Sequence, residues 1–250
     1  MQPLVVIFVV LGLIIYWRFK RTFRGIVLVY SLVAYVGAIA LKYAIQIPTA
    51  NVVLSYFGPH SAGTGLYYGL QTVFLEVGLA FLIANYAVSH GKLGAKDAEG
   101  YGLGLGFWEN AVLLGLLSLI NLVAYYLILS NNTSTAQIVY NQLQQTSPDL
   151  FLPQSQALSL VLLGIIERTS SIILHFAWGY LCLIAAYSHR KKYFALALPM
   201  GFVDFFVPFA QTIGLVPFEI LLLFLSVASA AVAWYATKKF REKRINNDNQ

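Results

Sequence analysis

Seven apolar stretches, at roughly 3–17, 25–46, 64–89, 102–129, 157–187, 193–212 and 215–237, leave little of this chain outside a bilayer. About 20 residues span a bilayer as a helix, so the first stretch is short and the fourth and fifth are long enough to tilt or protrude. Charged residues make up 10% of the chain and its mean hydropathy is +0.72. Soluble domains carry about 25% charged residues. The expected fold is all-α: a polytopic membrane helix bundle of about seven transmembrane helices. It forms a single domain over 1–240, followed by a flexible basic-polar tail at 241–250.

The basic residues fix an orientation. Arg18, Lys20, Arg21 and Arg24 follow the first stretch, Lys92 and Lys96 the third, and Arg190, Lys191 and Lys192 the fifth. Lys238, Lys239, Arg241, Lys243 and Arg244 follow the seventh. The alternate connections, roughly 47–63, 130–156 and 213–214, hold no Lys or Arg. The positive-inside rule then gives an N-terminus outside and a C-terminus inside. It also explains the net charge of +6 without nucleic acid. Lys42 and Arg168 are left over, inside or near stretches. The first stretch has no basic leader and no small-residue cleavage site, so it reads as a retained span. The outer connection near 131–156 is polar, with overlapping sequons at Asn131 and Asn132. Cys182 is the only cysteine, so no intrachain disulfide forms.

Ionisable residues inside a bilayer are costly and point to function. Glu76, Glu109, Glu167, Arg168, His175 and Asp204 all fall within stretches. Counted from the cytoplasmic ends, Glu109, His175 and Asp204 lie roughly 10–18 Å deep as helices, and Glu76 is similar. Gly102, Gly106 and Glu109 share one helix face, with Gly100 and Gly104 beside them. Such glycines let a second helix come close and turn the acid toward protein. Glu167, Ser171 and His175 lie on one broad face of the fifth stretch. Pro199 and Pro208 bracket Asp204, and a kink there would make room for water. A carboxylate, an imidazole and a second carboxylate at one depth suit water activation. Glu109 would act as general base, while His175 and Asp204 orient the water or stabilise an oxyanion. One histidine with carboxylates is a thin ligand set for zinc.

With these residues in view, the sequence resembles the glutamic-type intramembrane proteases. It is most like the YhfC and PrsW branches, related to the CAAX-processing and bacteriocin-processing membrane proteases. The likeness covers roughly residues 70–210. It rests on YGLGLGFWEN (Tyr101 to Asn110), GIIERTSSIILH (Gly164 to His175) and the Asp204 region, in that order. Two positions depart from the pattern. Met200 stands where a histidine precedes the acid by four residues, and Glu76 is followed by Val77 in place of a second glutamate.

The resemblance implies an intramembrane peptidase in which Glu109, His175 and Asp204 are catalytic and Glu167 with Arg168 organises the site. Asn110 and Glu76 would contact substrate. No cofactor is required; a metal, if present, would fall to Glu109, His175 and Asp204. Partners would be membrane lipids, a membrane peptide or protein substrate and subunits of a larger complex, with no nucleic acid. The protein would be multi-pass in the cell membrane. The alternatives are a non-catalytic homologue or complex subunit, and a proton-coupled transporter.

Overall fold

The computed structural model describes residues 24–130 and 134–238, together with Leu11, Gly12, Ile14, Ile15, Arg18 and Phe240. Most of the first predicted stretch, the Asn131 and Asn132 sequons and the 241–250 tail lie outside the described residues. Six helices among the described residues are long and apolar enough to cross a membrane. They are α1 (Gly25–Phe57), α2 (Ala62–Ser89), α3 (Ala95–Ile128), α5 (Gln154–Ser188), α6 (Lys191–Ile213) and α7 (Leu215–Ala236). A shorter helix, α4 (Ser134–Thr146), lies between α3 and α5. No strand occurs among the described residues. The chain is an all-α, multi-pass membrane protein.

Two connections differ from expectation. The second stretch runs on through Pro48 to Phe57. A proline removes one backbone donor from a helix. Beside it, Thr49 Oγ1 donates to Ile45 O at 2.5 Å, supplying a side-chain partner in the disturbed turn. The polar connection after α3 is helical over α4, its following turn tied down by Asn121 Nδ2 donating to Ser147 Oγ at 2.8 Å.

The glycines of α3 work as their spacing predicts. A Cβ on Gly102 would lie 2.4 Å from Phe176 O, and one on Gly179 would lie 2.7 Å from Gly102 Cα, so α3 and α5 meet backbone to backbone. Gly106 faces Ile172 and His175, while Gly104 faces Ser31 of α1. In lipid this close packing supplies the association energy that hydrophobic burial cannot. Trp108 Nε1 donates to Leu28 O at 2.9 Å, and Tyr101 Oη donates to Ala80 O at 2.7 Å, fixing α3 against α1 and α2. At one end of the bundle Arg24 pairs with Asp97 and donates to Lys92 O at 2.9 Å. Arg24, after the first stretch, and Lys92, after the third, therefore meet at one end of the bundle.

Candidate active site

Three of the polar side chains sit on turns that are not α-helical. Thr72–Val77 of α2 and Trp108–Leu114 of α3 are π-helical, and they carry Glu76 and Glu109. Leu198–Phe209 of α6 is 3₁₀-helical and carries Asp204. Wide π turns recur at functional sites because they re-aim side chains. In α3, Asn110 Nδ2 donates to Gly106 O at 3.0 Å, giving a side-chain partner to a carbonyl at the entrance to the wide turn. In α6, Pro199 and Pro208 lack backbone donors, and Gly201 lets the run of 3₁₀ turns lie against Val73 and Val77.

These turns bring Glu76, Glu109 and Asp204 to the wall of one cavity of about 60 Å³, which His175 of α5 also lines, with Thr72 and Ser171 beside them and Leu174, Trp178 and Val203 as its apolar face. That volume accommodates water. Two clusters meet there. In the first, Glu109 Oε2 accepts from Ser171 Oγ at 2.5 Å and from Asn110 Nδ2 at 3.2 Å, and lies 3.2 Å from His175 Nδ1. Glu109 Oε1 is 3.8 Å from Arg168 Nη1, beyond hydrogen-bond range. In the second, Lys42 of α1 pairs with Glu76, donates to Thr72 Oγ1 at 2.6 Å and lies 3.3 Å from Asp204 Oδ2, while Thr72 donates to Asp204.

His175 joins the two clusters. Its Nδ1 lies 2.9 Å from the Ser171 carbonyl, an acceptor only, so this nitrogen carries the hydrogen. Its buried Nε2 has no hydrogen-bond partner and lies 3.4 Å from Glu76 Oε2. Tyr35 meets the imidazole edge-on, with ring centroids 6.0 Å apart, and Trp178 tilts over it at 4.3 Å.

The expected positions of Glu109, His175, Asp204 and Glu76 at one depth match this convergence, but the partners differ from the sequence reading. Glu76 and Glu109 flank His175, whereas Asp204 engages Lys42 and Thr72. Asn110 is not open to a substrate. It is fully buried, its amide spent on Gly106, Glu109 and Ser171, and its Oδ1 accepts from Arg168. Glu167 pairs with Arg168 beside the cavity, not on its wall. Lys42 and Glu219 carry no role in the sequence reading. Lys42 had one signal, a lysine left over inside a span by the charge pattern. Glu219 is buried in the first turns of α7, and its Oε2 has no hydrogen-bond partner.

An all-helical multi-pass protein with a water-sized cavity lined by acids and one histidine defines a class of membrane-embedded acid–base site. The family described as YhfC intramembrane metalloprotease matches residues 5–223, and the chain belongs to that family. No curated protein and no solved structure matches the chain.

The family description raises the question of a metal. The orphaned Nε2 of His175 is the one feature that suits a metal ligand. The rest of the donor set does not. Among the described residues no group of three His, Cys, Asp or Glu side chains is arranged to hold an ion, including the expected trio of Glu109, His175 and Asp204. A second histidine at position 200 would not complete it. Residues three apart eclipse in a 3₁₀ helix, so residue 200 is turned about 120° from Asp204. Met200 instead lines a neighbouring apolar cavity. The residues present do not fit a metal centre.

Proposed function

We propose that the chain is an intramembrane peptidase in which Glu109 activates water without a metal. Its single strongest support is the Glu109 carboxylate on the wall of a water-sized cavity, held through Oε2 by Ser171 and Asn110. A water bound at Oε1 transfers a proton to Glu109 as its oxygen attacks the peptide carbonyl carbon. The carbonyl oxygen gains the negative charge and is stabilised by a protonated His175 Nε2, the buried nitrogen with no hydrogen-bond partner. Collapse of this intermediate breaks the C–N bond, and the proton on Glu109 passes to the departing amine.

The substrate is a peptide bond within or beside the membrane. An apolar cavity of about 90 Å³, lined by Met200, Phe202 and Phe206 among others, shares Leu174 and Val203 with the polar one. It suits an apolar side chain next to the cleaved bond. A non-catalytic homologue is the second reading, favoured by Met200 at the histidine position of the resembling families. The two readings separate in proteoliposomes holding the purified protein and a panel of single-span peptides, with products mapped by mass spectrometry. Cleavage by wild type and none by Glu109→Gln supports the peptidase. Equal cleavage by both removes Glu109 from the role, and no cleavage of any peptide by wild type favours the non-catalytic reading.

A further inference from the structure

We propose that Lys42 is the resident cation of this site, standing between the Glu76 and Asp204 carboxylates in the place a divalent ion would take, and that it keeps metal out.

Lys42 lies near the middle of the 33-residue helix α1, far from the ends where lysines reach water. A lysine at such depth is costly and persists only with partners. Lys42 has three: Thr72, Glu76 and Asp204, which matches the three donors of an ammonium. They come from α2 and α6, so one nitrogen ties three helices at the cavity wall. A zinc ion would need carboxylate oxygens at about 2.0–2.2 Å, already deprotonated and free of competing cations. Here two of the three acids on the cavity wall, Glu76 and Asp204, share one covalently fixed positive charge, which also repels an incoming ion. The site thus holds an ammonium where the carboxylates of Glu76 and Asp204 converge. Lys42 is a positioning residue. With its three donors engaged, it sets the charge and spacing of Glu76 and Asp204, and through Glu76 the environment of His175 Nε2.

This inference rests on the cavity's geometry and not on the peptidase reading, and its readout is metal content. Purified full-length protein in detergent is dialysed against zinc, washed, and measured by plasma mass spectrometry. Wild type and Lys42→Arg are expected to hold less than about a tenth of a zinc ion per chain. Lys42→Met, which frees Glu76 and Asp204 beside the already unpartnered His175 Nε2, is expected to gain at least about fivefold, with the gain removed by adding His175→Ala. Lys42→Gln replaces Lys42→Met if the latter is not monodisperse. Stoichiometric zinc in wild type that is lost on His175→Ala would overturn the proposal. So would a folded Lys42→Met or Lys42→Gln protein that takes up no more zinc than wild type.

Discussion

The two clusters around His175 use similar residues for opposite ends. On the α1, α2 and α6 side, Glu76 and Asp204 share one ammonium and a threonine hydroxyl, and Lys42 has no donor to spare. On the α3 and α5 side, Glu109 Oε2 is held by a hydroxyl, an amide and the nearby His175 Nδ1, while its Oε1 is 3.8 Å from Arg168, a cation already paired with Glu167. A carboxylate saturated by a buried cation is a poor proton acceptor, because protonation would strand the cation. A carboxylate oriented by hydroxyl and amide donors keeps an oxygen for water. The difference explains why, of the three acids on the cavity wall, Glu109 is the one suited to proton transfer.

Substitutions break this comparison in graded ways. The largest effect falls on Glu109→Gln, which keeps the acceptor for Ser171 and removes the base. Peptide cleavage should drop about 10²–10⁴-fold with melting temperature near wild type. Lys42→Met should instead lower stability, by about 3–5 kcal/mol in detergent unfolding, because it leaves buried carboxylates unpaired. Adding Glu76→Gln to Lys42→Met should recover part of that loss, which a simple packing defect would not allow. If Glu109→Gln proved the more destabilising of the two, the contrast between the clusters would be wrong.

The sequence carried the bundle and the depth of the acids well, because both follow from local spacing. Apolar length, glycine periodicity at Gly102 and Gly106, and the position of His175 relative to Ser171 are all readable within one helix. The partnerships were not. Lys42 and Asp204 are 162 positions apart, and nothing local to either says that Thr72 lies between them. Asn110 reads as a candidate substrate contact because its amide is polar and adjacent to Glu109. Its use on the Gly106 carbonyl depends on the π turn at Trp108–Leu114, which no residue type announces. The 3₁₀ turns of α6 had a partial signal in Pro199 and Pro208, yet a kink and a tightened helix are equally consistent with two prolines. The continuation of α1 past Pro48 is hidden for the same reason.

Smaller changes sharpen the picture. Gly102→Ala puts a methyl 2.4 Å from Phe176 O, a backbone atom that cannot step aside, and should cost about 1–3 kcal/mol of stability while shifting the Glu109 and His175 helices apart. Ser171→Ala removes the shortest hydrogen bond to Glu109 and should lower kcat about tenfold with KM little changed. Its counterpart in the other cluster, Thr72→Val, should act mainly on melting temperature. Asp97→Asn, at a buried carboxylate that accepts from the partly exposed Arg24 and from Gly94 N, should cost about 1–2 kcal/mol.

The most direct measurement is the cleavage rate of wild-type proteoliposomes stripped with a strong chelator, run beside Glu109→Gln. A metal-free site built on Glu109 predicts that stripped wild type keeps its full rate while Glu109→Gln falls to background. Loss of the wild-type rate on stripping with recovery on added zinc, or cleavage by Glu109→Gln at the wild-type rate, would contradict it.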